Sequence, residues 1–248
     1  MVRLSVLTAV AVIGLTQGKT QQKNGRKLEP SDAGKYHTEG FDKLAELYSS
    51  KKPSSKTELI LDVSQIASSF CAKNDNLCVS NAYKYTLEQF HEKKSNNKLT
   101  LPESLDPRLK KALKKTEKLI MDKGLDVDSV VAELTKIEDS LHDMKNVNEL
   151  QRASALASVS VAIESSKLWH AVYNDEDHAL HEMRGSLGKG RKRALQSVVH
   201  CDFEAAVNAG INAAFNDPLV FSVWPRIITT IIPNSYAASV KCAFLSED

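Results

Sequence analysis

The sequence predicts an all-α protein, a bundle-like domain of about eight helices. Only 10 glycines and 7 prolines are spread over its 248 residues, and its commonest residues include strong helix formers. Apolar residues recur at three- and four-residue spacing through most of the chain, which is typical of amphipathic helices. An even number of cysteines, 4 in all, predicts a helical domain stapled by disulfides.

Residues 1–18 have the pattern of a signal peptide. A short basic start containing Arg3 precedes a mainly apolar run over residues 4–15, and small residues follow at Thr16 and Gly18. The run is about twelve residues long, against about twenty needed to cross a bilayer. We therefore expect cleavage after Gly18 and a secreted, extracellular protein, or one in the lumen of the secretory pathway. The alternative is an uncleaved helix that tethers the protein to a membrane.

Behind the leader we expect a disordered tail and one helical domain. Residues 19–36 are polar, basic and poor in apolar side chains, a composition that buries too little apolar surface to fold. Residues 37–248 form the predicted single domain, which is large enough for one sizeable core. A sub-boundary is expected at the glycine-rich, basic loop over residues 185–193.

Three helices are expected in the first part of this domain. The first begins at His37, carries an apolar stripe, and ends at the polar run over residues 51–55. A second apolar stripe covers residues 59–70. A polar turn at residues 73–76 separates it from a third helix, which is expected to end near Lys94.

Asp106 and Pro107 mark the start of the next helix, because aspartate is a favoured N-cap and proline is tolerated at the first helical position. Gly124 is the expected left-handed C-cap. A further helix then begins at Asp126 or Asp128, with apolar residues at near-heptad spacing. We expect these two helices to form an antiparallel hairpin. The alternative is a partner-binding coiled coil.

The rest of the domain is predicted to contain its most closely packed helices. Residues 153–163 are mostly alanine, serine and valine; alanine favours a central helix, while the local alternation leaves a strand as the alternative. Another apolar helical face covers residues 203–214. Residues 219–232 are almost wholly apolar, but the segment is interrupted by Pro225 and is too short for a transmembrane helix.

The cysteines are expected to form two disulfides, which are typical of exported proteins. Local pairing, Cys71 with Cys78 and Cys201 with Cys242, is the simplest of the arrangements that four cysteines allow. The alternative is a zinc site of four thiolates, although such sites usually contain paired C-x₂-C spacings.

The histidines indicate one candidate metal site. His178 and His181 are three residues apart and would share a helical face, with Asp177 beside them. Imidazole and carboxylate groups are ligands of zinc and similar divalent ions. The spacing differs from the H-E-x-x-H pattern of zinc proteases. The alternative is a solvated, charge-rich helix end, in which case no cofactor is expected.

A tribasic run, Arg191, Lys192 and Arg193, directly follows the glycine-rich segment. In a secreted protein such a run is a candidate cleavage site for a convertase-type processing protease. The alternative is a basic helix start that pairs with the acidic residues at 175–177.

Several function classes have no support in the sequence. Basic and acidic residues nearly balance, 33 against 31, so a nucleic-acid partner is not expected. No serine has the G-x-S-x-G context of a hydrolase, and residues 185–190 lack the signature of a phosphate-binding loop. Paired cysteines would leave no thiol nucleophile.

Three stretches resemble a group of uncharacterised secreted helical proteins and lipoproteins found mainly in bacteria. Residues 34–42 resemble that group's G-x-x-H-N-x-G-L-D opening, with Thr38 and Phe41 where the group favours Asn and Leu. Residues 153–169 resemble its Ala/Ser-rich run ending at an aromatic residue, and residues 202–214 resemble its closing segment. The resemblance implies a secreted all-helical domain and brings no known activity.

From these patterns we expect a secreted, non-enzymatic binding protein whose partner is an extracellular protein or ligand. The first alternative is an extracellular metal-binding protein or metal-dependent enzyme that uses His178, His181 and Asp177. The second alternative is a membrane-interacting protein, without a transmembrane segment after signal cleavage, that brings the apolar block over residues 203–245 into peripheral contact with a bilayer.

Overall fold

The computed structural model describes residues 29–50, 53–71, 76–91, 99–181, 191–216 and 224–244. Over these residues the chain forms eight α-helices, one short 3₁₀ turn and no strand. The helices are α1 Ala33–Ser50, α2 Lys56–Ser68, α3 Asn76–His91, α4 Pro107–Ile120, α5 Val127–His142, α6 Glu149–Asn174, α7 Arg191–Asn216 and α8 Trp224–Phe244. The all-α prediction is confirmed. The predicted signal peptide lies outside the described residues.

The helical domain begins earlier than the sequence pattern predicts. Pro30–Asp32 form the 3₁₀ turn, and α1 follows at once from Ala33. The Gly34 N–H donates to Ser160 Oγ of α6 at 3.1 Å, so the start of α1 is fixed against the core. Residues 30–36 therefore belong to the folded domain and not to a disordered tail.

Side-chain caps begin both helices of the α4–α5 hairpin, as predicted. Asp106 accepts a hydrogen bond from the backbone N–H of Arg108 at the start of α4. Asp126 accepts one from the backbone N–H of Ser129 at the start of α5, so Asp126, and not Asp128, is the N-cap. The two helices pack against each other, in agreement with a hairpin.

The prediction that Gly124 is a left-handed C-cap is wrong. Helix α4 ends at Ile120, and its C-cap is Met121 in the right-handed region. Gly124 lies further on, in the turn, where its N–H donates to Asp122 Oδ1 at 2.8 Å. The aspartate side chain thus organises a turn that the sequence pattern assigned to glycine.

Helix α6 is the centre of the molecule, and the strand alternative for its Ala/Ser-rich segment is wrong. It packs against α1, α4, α5, α7 and α8, and residues 153–163 are all buried. Their small side chains admit close neighbours: Ser154 Oγ donates to the Gly210 carbonyl of α7 at 2.9 Å. Ser160 Oγ donates to the Ser31 carbonyl at 2.7 Å.

The apolar C-terminal block packs into the interior. Residues 231–240 of α8 are all buried, against α1, α2, α3, α6 and α7. Residues 217–223 lie outside the described part of the chain. Among the helices that the structure describes, none combines the length and apolar character needed to cross a membrane.

One of the two predicted disulfides is present in the described residues. Cys201 of α7 and Cys242 of α8 are bonded to each other. Cys71 is buried after the end of α2, but the side chain of Cys78 lies outside the described residues, so their pairing stays a prediction. Over the described ranges the structure shows one disulfide, between the last two helices. The prediction of a domain stapled by two disulfides is therefore overstated.

Candidate functional site

The predicted metal ligands lie in a turn and not on a helix. Helix α6 ends at Asn174, and the following residues form successive turns, so His178 and His181 do not share a helical face. His178 Nδ1 accepts a hydrogen bond from the Leu180 N–H at 3.2 Å. His181 Nδ1 lies 2.9 Å from the Val172 carbonyl oxygen.

The third predicted ligand, Asp177, is exposed in the same turn. Within the part of the chain that the structure describes, no group of three or more His, Cys, Asp or Glu residues is placed to hold a metal ion. The predicted metal site therefore stays a prediction without support from the described geometry.

The tribasic run opens α7. Arg191, Lys192 and Arg193 are the first residues of this helix. Residues 182–190, which precede them, lie outside the described residues. Cleavage at this run stays a prediction.

A cluster of polar side chains lies inside the core, where α1, α6, α7 and α8 meet. Its members are fully closed to solvent: His37, Ser165, Trp169, Asp202 and Ser239. Asp202 Oδ2 accepts hydrogen bonds from Ser165 Oγ and from Trp169 Nε1 at 3.2 Å. The same indole N–H lies 3.1 Å from Ser239 Oγ. These contacts tie α6, α7 and α8 together.

Burial sets the charge of this cluster. It raises the pKa of Asp202 to about 8, although hydrogen bonds from Ser165, Ser239 and Trp169 oppose the shift. It lowers the pKa of His37 to about 3. Both side chains are therefore mainly neutral at pH 7, because neither is stable as an unpaired charge in the core.

The cluster contains serine, histidine and aspartate, but it is not a catalytic triad. In a triad the serine donates its hydroxyl proton to the imidazole, which the aspartate orients. Here Ser165 donates to Asp202, and neither ring nitrogen of His37 has a hydrogen-bond partner among the described residues. All five side chains are fully buried in the described structure. We interpret the cluster as part of the folding core.

A cleft of about 200 Å³ opens between the α4–α5 turn and helices α6 and α7. Its apolar lining consists of six aliphatic side chains: Ile120, Leu125, Val127, Val130, Leu195 and Val199. An engineered apolar cavity of about 150 Å³ binds benzene. The cleft is therefore large enough for a ligand built around one ring.

Polar groups complete the lining of the cleft. They come from the turn, from the C-terminal half of α6 and from the start of α7: Asp122, Asp126, Ser166, His170, Tyr173, Asn174 and Gln196. Gln196 Nε2 donates to the Asp122 carbonyl at 2.8 Å. This hydrogen bond joins α7 to the α4–α5 turn and fixes the distance between two walls of the cleft.

A second contact holds α4 against α7 near the cleft. Glu117 Oε1 lies 3.2 Å from Nε2 of His200 and accepts a hydrogen bond from the Leu99 N–H at 3.1 Å. Glu204 Oε2 lies 3.9 Å from Nδ1 of the same imidazole. His200 is buried, so the Glu117 carboxylate supplies a hydrogen-bond partner for a polar ring that would otherwise be costly to bury.

No family model, no curated protein and no solved structure matches this chain.

Neither the core cluster nor the cleft was predicted from the sequence. The sequence did contain one signal for the cluster: Asp202, an acidic residue, stands between the apolar residues Val199 and Phe203 on α7. The cleft had no such signal. Its lining comes from four helices and a turn, and Asp126 was interpretable from sequence only as a helix cap.

Proposed function

We propose that this is an extracellular binding protein that holds a small, mainly apolar ligand in the cleft between the α4–α5 turn and helices α6 and α7. The cleft itself carries the proposal. Ligand sites are typically concave and mainly apolar, with a few polar groups that fix orientation, and this lining has that composition. Its volume of about 200 Å³ is below the usual range for drug-sized ligands, so the ligand is small.

The extracellular setting is supported by the chain itself. The apolar segment at residues 4–15 has the pattern of a secretory leader. The Cys201–Cys242 disulfide fits an oxidising compartment, because disulfides are rare in proteins of the cytosol.

The one serine among the described residues of the cleft is not arranged as a nucleophile. Ser166 Oγ donates to the Ala162 carbonyl of its own helix at 2.7 Å, so its proton points away from any base in the cleft. A nucleophile needs a general base within hydrogen-bond reach. His170 lines the cleft as an exposed side chain at the surface and is suited to contact a ligand.

The test is a nuclear magnetic resonance titration of the folded domain with a library of single-ring compounds. We expect some of them to shift the amide signals of Leu125, Val130 and Val199. Val130→Phe places a ring in the cleft and should abolish these shifts. Leu61→Phe is the matched control, because Leu61 is 49% exposed on α2 and does not line the cleft.

Both variants must retain the circular dichroism spectrum of the wild type. If no compound shifts the cleft signals, or if Val130→Phe binds as well as the wild type, the proposed function is wrong.

A further inference from the structure

We infer that the cleft selects ligands in which a positively charged amine is attached to a small apolar body. This inference rests on the proposed function and adds the class of ligand.

The charge of the lining is one-sided. Of the described residues that line the cleft, Asp122 and Asp126 are acidic and none is lysine or arginine. Hydrogen bonds from the backbone and hydroxyl of Ser129 hold the pKa of Asp126 below its ordinary value, so this carboxylate is charged at neutral pH. An amine is the group complementary to these two carboxylates.

The Asp122 carboxylate is positioned to accept a further hydrogen bond. Its Oδ1 accepts the Gly124 N–H at 2.8 Å, which fixes the side chain in the turn. Within the described residues its Oδ2 has no hydrogen bond to another residue. A primary amine carries three N–H donors and can use this oxygen at the mouth of the cleft.

Two helix C-termini border the cleft. Ile120 is the last residue of α4 and Asn174 is the last residue of α6, and both line the cleft. The C-terminal end of a helix carries partial negative charge on its unpaired carbonyl groups. Two helix N-termini, which carry partial positive charge, also border the cleft: Asp126 caps that of α5, and α7 begins at Arg191, about one turn before Leu195 of the lining. The two carboxylates, and not the helix ends, therefore carry the preference for an amine.

The lining does not fit a metal ion as the ligand. A metal ion needs several oxygen ligands around it, and within the described residues no group of three or more His, Cys, Asp or Glu residues is placed to hold one. An organic amine satisfies both halves of the site, because its ring displaces water from the apolar wall while its ammonium group meets the two carboxylates.

Three probes of the same size separate charge from shape: 2-phenylethylamine, 2-phenylethanol and phenylacetate. Their affinities are measured by nuclear magnetic resonance titration at neutral pH. We expect the amine to bind about tenfold more tightly than the alcohol, and the carboxylate to bind more weakly than either, as expected for about 1.4 kcal/mol of charge selection. The preference should shrink at high salt, since partly exposed charges are screened.

The matched variant is Asp122→Asn with Asp126→Asn. Asparagine keeps the helix cap and the turn hydrogen bonds, so the fold is retained and only the negative charges are lost. We expect the amine to lose about tenfold in affinity and the alcohol to be unaffected. Asp143→Asn is the control, because Asp143 lies at the opposite end of α5, about 24 Å away along a helix of this length.

The outcomes distinguish the two proposals. If the amine and the alcohol bind equally in the cleft, the inferred ligand class is wrong and the proposed function stands. If none of the three probes shifts the cleft signals, the inferred class is overturned, and the single-ring library decides separately whether the proposed function fails too.

Discussion

His37 Nε2 and Asp202 Oδ2 lie 3.6 Å apart in the core, and both side chains are completely closed to solvent. Because burial keeps each side chain neutral, the two lie next to each other in the core without forming an ion pair at neutral pH. Such groups make the stability of a protein depend on pH, since their proton affinities differ between the folded and unfolded states.

The first prediction is that the free energy of unfolding falls as the pH rises from about 6.5 to 8. In the unfolded chain Asp202 loses its proton near its ordinary pKa of 3.8, while the folded protein keeps it up to about 8, so stability declines across this window. His37 has the opposite effect between about 3 and 6.5 and offsets the decline there. Above 6.5 this offset ends, and Asp202 contributes a slope of up to about 1.4 kcal/mol per pH unit.

The measurement is urea unfolding of the wild type and Asp202→Asn between pH 5 and pH 8.5. Asparagine cannot ionise and still accepts hydrogen bonds through its amide oxygen, so its profile should be flatter above pH 6.5. Burial also raises the pKa of Glu138 to about 7, but this group is present in both proteins and cancels in the difference. Parallel profiles for the two proteins would contradict the prediction.

The second prediction concerns the close approach of α1 to α6. A Cβ atom added at Gly34 would lie 2.2 Å from the backbone oxygen of Ser160, which is far inside van der Waals contact. We expect Gly34→Ala to destabilise the protein by about 2–3 kcal/mol, because a helix backbone cannot yield as a flexible side chain can. Thermal and urea unfolding measure the change.

Gly124→Ala is the control for this substitution. A Cβ there would meet only Asp122 Oδ1, at 3.3 Å, so we expect a change within about 0.5 kcal/mol. If both alanine variants are equally stable, the approach of α1 to α6 is looser than the structure shows.

The third prediction is that Glu117 stabilises the protein through the two groups it contacts. Glu117→Ala would leave the Leu99 N–H and the buried His200 ring without this acceptor, at a cost of about 1–3 kcal/mol. Glu117→Gln keeps an acceptor oxygen and should cost less than half as much. Urea unfolding compares the two variants with the wild type. Equal losses in both would show that the negative charge, and not the accepted hydrogen bonds, is what matters.

The sequence predicts helices well where capping and spacing act locally. Asp106 and Asp126 are recognisable as caps because an N-cap needs only its own first turn. Gly124 misleads the prediction, since Asp122 organises the turn through a side-chain hydrogen bond that competes with a glycine cap.

The parts that could not be predicted depend on residues distant in sequence. Trp169 and Asp202 are brought together by the packing of α6 against α7, and no spacing rule relates positions on two different helices. His178 and His181 were predicted to share a helical face because of their spacing. Helix α6 ends before them at Asn174, so the two histidines do not lie on a helix.

The disulfide has a consequence for the polypeptide if a protease cuts after Arg193. Cys201 and Cys242 would then both belong to the C-terminal fragment, so the cross-link would not join that fragment to the rest of the molecule. Helices α7 and α8 would remain attached to α6 only by non-covalent contacts, such as the Ser154–Gly210 hydrogen bond. The cut protein would be a heterodimer that urea dissociates into two chains without any reducing agent.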